Sequence, residues 1–444
     1  MKSPDYNSLN YRSLIEKSWP IILANSSVPL LGLVDTAVIG NVGDVADLGA
    51  IALGSLIFSF VYWGFGFLRM STTGFVAETI GKGDFAETLA VLGRAAIFGA
   101  GFGVTLFILQ LPINSLAMEL LNGSVTTEQR AAEYFFIRIW GAPATLITFV
   151  FTGTLIGMGR SKLLLVSQLF LNGSNIILDL TLAGALSMGV KGIALGTLIA
   201  EWATVIFVGR ILYQELNVSR INGQDFLKGL FEMDAFKKML SSNINILVRT
   251  LLLIFSFAFF TNQSAKFGEV TLAANYLLLQ LVSFSAFFLD GYAFVVEGLV
   301  GYARGRKDLS YFDRAVKRTT ILAGLTSSAL SLFLIVFGDQ IILLLTDIQA
   351  VRDQSSVMLW LACIYVLFAF AAFQLDGVFI GVSDSRSMRN AAILSTGFFL
   401  FFWWLSKGLE AKGLWLSMIA YVVMRAITLL SFYGSLRNEI GSSS

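Results

Sequence analysis

The chain has 444 residues, 56% of them hydrophobic and only 14% charged, and its mean hydropathy is +0.75. Soluble domains carry about 25% charged residues, so this composition cannot cover a water-facing surface and describes a polytopic membrane protein. A net charge of +2, with the basic residues in loops instead of on one helix face, carries no nucleic-acid signature; a single Cys363 rules out an intrachain disulfide or zinc pattern, and the lack of histidine rules out histidine-dependent chemistry.

Taken in chain order, apolar stretches of about 18–25 residues mark twelve spanning helices. They lie near 15–39, 48–74, 89–111, 131–156, 162–185, 192–213, 239–262, 272–299, 317–345, 357–381, 389–406 and 413–434. The polar opening Met1–Asn7 shows no cleavable-signal pattern, so the first span is expected to act as the membrane signal. With both termini cytoplasmic, inner segments hold 21 Lys and Arg residues and outer segments 6, a strong positive-inside bias. The other four basics, Arg69, Arg138, Arg249 and Arg425, fall within helices.

The first span contains Asp35, and a carboxylate there costs roughly 2.5 kcal/mol or more on insertion scales if left charged and unpaired. Pro20 and Pro29 precede it in the same span, and each removes a ladder bond and permits a bend. All five prolines lie in the first 143 residues. In the predicted topology Asp35 and Asp179 both lie in the outer half of the membrane, on the first and fifth spans. Asn175 and Asp179 are four apart and share a helix face. Tyr134 and Thr197 sit about one turn into the fourth and sixth spans, at the same depth. Tyr, Asn and Thr supply both donors and acceptors to a carboxyl in either protonation state. One turn deeper, Arg138 and Glu201 are expected to form a structural ion pair, since a lone charge there is too costly.

The hydrophilic stretch 214–238 divides the chain into a first lobe, 1–213, a cytoplasmic linker, 214–238, and a second lobe, 239–444. An offset of 224 carries Leu48-Gly-Ala-Ile-Ala-Leu onto Leu272-Ala-Ala-Asn-Tyr-Leu, Gly83-Asp84 onto Lys307-Asp308, and Gly153…Gly157 onto Gly377…Gly381. Lys191-Gly-Ile-Ala-Leu matches Lys412-Gly-Leu-Trp-Leu at 221, which implies a three-residue deletion near the eleventh span. Six spans per repeat give both repeats the same orientation. Parallel repeats about an axis along the membrane normal are a transporter architecture, with the substrate site expected between the halves. Such a site is apolar and aromatic with a few polar groups. Asn25, Ser26 and Arg249 are its candidates here, the 224 offset pairing Asn25 with Arg249. Asp290, Glu297 and Asp376 lie toward the cytoplasmic side of the second half.

These features together resemble the multidrug and toxic compound extrusion (MATE) family, and within it the DinF-type branch. The carriers are the Pro20…Asp35 spacing, Asn175-x-x-x-Asp179, the Ala274-Asn-Tyr segment, Gly377…Gly381 and Met388-Arg-Asn390. The resemblance covers essentially all twelve spans. It implies a V-shaped, all-α pair of six-helix lobes that alternates between outward-open and inward-open states. It implies export of drugs or toxic organic cations, cationic or amphipathic, in exchange for protons or sodium, without a cofactor. By similarity Asp35 is the coupling acid, Asp179 belongs with it, Tyr134, Asn175 and Thr197 support them, and Pro20 marks the bend. A sodium ion, if it is the coupling ion, falls to Asp35, Asn175, Asp179 and Thr197, whose oxygens suit a hard cation. The expected setting is a bacterial inner membrane, with a monomer in contact with lipid and no nucleic-acid partner. The seventh span offers Arg249 and no acid, which favours the DinF-type branch over the NorM type.

Two other functions are weaker. A flippase for anionic lipid-linked headgroups should line its cleft with several basics, and only four are within helices. A paired-aspartate intramembrane protease should show Gly-x-Gly-Asp, which neither Leu289-Asp-Gly nor Leu375-Asp-Gly matches.

Overall fold

The computed structural model describes residues 8–121 and 124–442, among which there is no β-strand; the polar opening 1–7 lies outside them. The first helix, α1 (Tyr11–Val42), is helical throughout, across both Pro20 and Pro29. Pro20 and Pro29 have no N–H to offer the carbonyls of Glu16 and Asn25, so two ladder bonds are missing within an otherwise regular helix.

After it come α2 (Val45–Gly64), α3 (Phe67–Lys82), α4 (Phe85–Ile108), α5 (Gln110–Leu121), α6 (Val125–Arg138), α7 (Ala142–Gly157), α8 (Ser161–Asp179), α9 (Gly189–Glu215) and α10 (Gly223–Leu230). The second half holds α11 (Met233–Lys266), α12 (Glu269–Arg306), α13 (Leu309–Leu345), α14 (Gln349–Gly381), α15 (Ser385–Ser406) and α16 (Glu410–Ser442). Ten helical stretches among the described residues are long and apolar enough to cross a bilayer. The last, Ser385–Gly441, contains both α15 and α16, and α1 completes the expected twelve. Two of the rods are interrupted: α2 passes to α3 at Phe65-Gly66, and α6 to α7 through the 3-10 turn Ile139–Gly141.

The helix boundaries repeat at the offsets found in the sequence. Val45–Lys82 becomes Glu269–Arg306, Phe85 becomes Leu309, Val125–Gly157 becomes Gln349–Gly381, and Ser161 becomes Ser385, all at 224. Gly189 becomes Glu410 at 221. The three residues without a counterpart are Leu186, Ser187 and Met188, between α8 and α9.

Local physics repeats too. Gly83 (φ 75°) and Lys307 (φ 58°) both end a helix in the left-handed region, and the next residue, Asp84 or Asp308, caps the following helix. A Cβ on Gly153 would overlap the carbonyl oxygen of Arg69, and one on Gly377 that of Ala293, the residue 224 positions on. Gly157 against Thr73 and Gly381 against Glu297 form the same pair of contacts. The small residues let α7 approach α3, and α14 approach α12, backbone to backbone.

The chain divides into two compact units: Leu23–Met239 form one, and Leu240 onward, with the turns of α1 as far as Ile22, form the other. Gly291 on α12 shows why those turns go with the second unit, because a Cβ there would overlap Ile22. Arg318 adds to this, donating to the Leu9 carbonyl at 2.8 Å.

Three local features differ from expectation. Arg94, expected in an inner loop, is buried inside α4, where it pairs with Glu87 and donates to the carbonyl of Gly229. That bond docks α10 on α4, so part of the hydrophilic segment 214–238 is a helix packed on the first unit. Arg130, expected in an outer loop, lies in α6 and reaches both Asp44 (2.6 Å) and Asp47 (2.7 Å) at the capped start of α2. Its guanidinium holds the Asp44 carboxyl below the usual carboxylate range. Charge at a helix end is not recognisable from hydropathy alone, because its partner lies on another helix.

Candidate ion-binding site

The polar residues singled out in the first half come together within the first unit. Tyr134 lies nine residues past the start of α6 and Thr197 eight past the start of α9. Asp35 is 8% exposed, and Asp179, the last residue of α8, is fully buried. The two carboxyls are close enough to act on one another directly. Asn175 donates to the Thr197 hydroxyl at 3.1 Å, and Thr197 in turn donates to the Ile193 carbonyl within its own helix at 3.1 Å. The Tyr134 hydroxyl accepts from Arg138 Nη1 at 2.9 Å and lies 3.4 Å from Ser55 Oγ. Arg138 Nη2 stands 3.6 Å from Glu201 Oε1. Asn172 joins α8 to α1 by donating to Ser27 at 2.8 Å.

Acceptor oxygens exceed donors. Asp35 Oδ1, both oxygens of Asp179 and Asn175 Oδ1 are buried without a hydrogen-bond partner among protein atoms. A buried unsatisfied oxygen costs about 1–3 kcal/mol, more if charged. Several at one place define a site that a proton or a small hard cation would satisfy.

Three glycines make room for this cluster, and sequence reasoning missed all three. A Cβ on Gly196 would overlap Asp179 Oδ1, one on Gly141 would overlap Glu201 Oε2, and one on Gly54 would overlap the Tyr134 ring. A fourth element escaped notice as well. The helix carrying Asp179 widens directly after it into a π turn, Leu180–Ala185, and π turns recur at functional sites. Gly192 packs against the backbone of this turn. The clearances are between residues far apart in the chain, so no local pattern announces them. Gly196→Ala is expected to push the Asp179 carboxyl aside, at an overpacking cost of about 1–3 kcal/mol. The melting temperature should fall by a few degrees; a wild-type melting temperature would show that the carboxyl's placement is immaterial to the packing.

The remaining candidates fall elsewhere. Asn25 and Ser26 are half-buried on α1. Arg249, expected at the substrate cleft, is buried in the second unit and held by Asp376, which also binds Arg425. Asp376 is therefore the counter-ion of two arginines. Asp290 lies on α12 at intermediate burial, and Glu297 on the same helix is 1% exposed.

The repeat supplies an internal control. The offsets carry Asp35 onto Phe259, Tyr134 onto Met358, Asn175 onto Phe399, Asp179 onto Trp403, Thr197 onto Met418 and Glu201 onto Val422. Met358, Phe399, Met418 and Val422 belong to the apolar core of the second unit, and Phe259 and Trp403 pack against it. Phe259 meets Phe399 with ring centroids 5.6 Å apart and Trp403 at 6.5 Å. One fold position thus holds acids in the first repeat and aromatic packing in the second. The fold does not require the acids.

Comparison with known proteins follows the same division. The MatE family model matches residues 20–181 and 246–405, once in each half. The chain is 32% identical to DNA damage-inducible protein F of Escherichia coli K12 over 423 residues, 95% of this chain and 92% of that protein. It is 22% identical to Multidrug export protein MepA of Staphylococcus aureus MRSA252, over 88% of this chain and 85% of that one. The crystal structure of MATE in the straight conformation superposes with a TM-score of 0.86 at 19% identity, covering 100% of this chain and 99% of the other.

Proposed function

The chain belongs to the MatE family of multidrug and toxic-compound efflux transporters, and from that premise we propose that it is a proton-coupled antiporter. It is a multi-pass membrane protein and not an enzyme, and its transport chemistry needs no cofactor. In our reading it expels cationic or amphipathic compounds by alternating access. It does so as a monomer in a bacterial inner membrane, surrounded by lipid and with both termini cytoplasmic.

The observation that carries the reading is the contrast between repeats: buried carboxyls stand in the first unit where the second has an apolar core. Replacing buried ionised groups by apolar ones is often neutral or stabilising, so acids kept at such a position are there for what they bind. The chain has no histidine, and a proton carried within the membrane must ride on a carboxyl group. Asp35 and Asp179 face each other, and two such acids share one proton and titrate as a pair. A single proton satisfies both, which is why we assign the proton over sodium.

In the proposed cycle, the Asp35–Asp179 pair takes a proton from the outside, α1 bends near Pro20, and substrate leaves. Return and release of the proton to the cytoplasm regenerate the charged site. A ligand shifts such an equilibrium only by its differential affinity for the two states. Protonation qualifies because it removes a charge whose burial cost differs between them.

The deciding experiment is drug efflux from liposomes under a pure proton gradient and, separately, a pure sodium gradient. Efflux driven by the proton gradient alone is the expected result. Efflux driven only by sodium would replace the proton by sodium at Asp35, Asn175, Asp179 and Thr197.

A further inference from the structure

Arg138 and Glu201 form the expected ion pair, but through a single contact. One contact of 3.6 Å joins them, while Arg138 Nε and Glu201 Oε2 are both buried with no hydrogen-bond partner. The second arm of the guanidinium is turned away, to the Tyr134 hydroxyl at 2.9 Å, and its carbon lies 4.8 Å from the centre of the Phe58 ring. Arg138 therefore contacts Glu201 and Tyr134, and its charge is also felt at Asp35 and Asp179. Among the described residues it is the one cationic side chain that acts on Asp35, Asp179 and Glu201 alike.

The surroundings of Glu201 are otherwise uncharged. Arg138 and Tyr134 face it from α6, Thr145 from α7 and Tyr62 from α2, with the Gly141 backbone closing the space beside Oε2. Beyond Arg138 lie Asp35 on α1 and Asp179 on α8. Thr145, whose hydroxyl donates to the Gly141 carbonyl at 3.2 Å, neighbours both Glu201 and the buried Tyr62 hydroxyl. Hydroxyl groups of this kind can donate to an ionised carboxyl and accept from a protonated one.

The charge balance then sets a number. Three buried carboxyls face one guanidinium, so full ionisation leaves two negative charges without a counter-ion in a low-dielectric interior, a state that is costly until cations arrive. Two added cations restore neutrality, and a shared proton at Asp35–Asp179 supplies only one.

We propose that Glu201 is a second proton-carrying carboxyl, so that the first unit exchanges two protons per cycle with Arg138 as a counter-ion shared between the sites. From the outside the Asp35–Asp179 pair takes one proton and Glu201 another, which leaves one carboxylate charge facing Arg138; both protons leave to the cytoplasm, and the incoming cationic substrate then offsets the charge they uncover. No bond other than those to the protons changes. The inference rests on the proton-coupled reading above and extends it from one acid site to two.

The test is the proton-to-drug ratio, read in liposomes with a monocationic drug from the net charge moved per drug at a fixed pH gradient, one charge at two protons per drug and none at one. The wild-type protein should give two protons per drug, Glu201→Gln one, and Glu201→Asp, which keeps an acid, two. A ratio unchanged by Glu201→Gln overturns the second site while leaving proton coupling in place. A wild-type protein indifferent to the proton gradient overturns the coupled reading itself. If Glu201→Gln does not fold, the pH-difference infrared spectrum of folded Glu201→Asp decides: a shifted protonated-carboxyl band supports the proposal, and an unshifted one overturns it.

Discussion

Asp35→Asn is expected to reduce gradient-driven efflux to the level of an uncoupled leak while the protein folds normally. Asparagine has nearly the size of aspartate and retains hydrogen bonds to its neighbours, but no proton can be gained or lost at working pH. Asp35 Oδ1 has no protein partner, so no bond at that oxygen is lost. Removing a buried acid also removes the cost of its ionised form, and stability should hold or rise by up to about 1 kcal/mol. The measurement is drug efflux from proteoliposomes under an imposed pH gradient, alongside the melting temperature and size-exclusion profile of the same preparation. Undiminished gradient-driven efflux by a folded variant would remove Asp35 from the coupling site. The apolar counterpart, Phe259, makes the expectation sharper, because the second repeat is built around an aromatic side chain at the same place.

Asp376→Ala is expected to do the opposite, destabilising the second unit by about 3–5 kcal/mol, the range for stripping one partner from a buried ion pair. Arg249 and Arg425 both reach Asp376 Oδ2, all three residues are under 9% exposed, and the Arg425 guanidinium also lies over the Phe373 ring at 5.7 Å. Truncating the carboxylate leaves two guanidiniums buried without it. Melting in detergent should show the loss as a drop of many degrees. Replacing Asp376, Arg249 and Arg425 together by leucine or methionine should recover most of the stability, since an apolar cluster needs no counter-charge. An Asp376→Ala protein that melts like the wild type would mean that the arginines find other partners. Reading along the repeat, the positions equivalent to this triad are Asn25, Thr152 and Thr204, so each half carries its own charged cluster and neither is copied in the other.

The number of spans, the two repeats and the suspicion falling on Asp35 and Asp179 were legible from the chain alone. Hydropathy, periodicity and a fixed offset are properties of residues in order, and each survives without knowing what touches what. Even the repeat's finer marks, Gly83-Asp84 against Lys307-Asp308, reappear as helix ends and caps because capping is local. Tertiary structure alone decided the rest. It gave Arg249 its counter-ion, Asp376, 127 positions away. It set the Arg138–Glu201 pair at a single 3.6 Å contact, and it showed that Gly54, Gly141 and Gly196 vacate the space in which Tyr134, Glu201 and Asp179 sit. An acid's cost in a membrane can be read from its type and position, but its partner and its clearance are set by helices that meet only after the chain has folded.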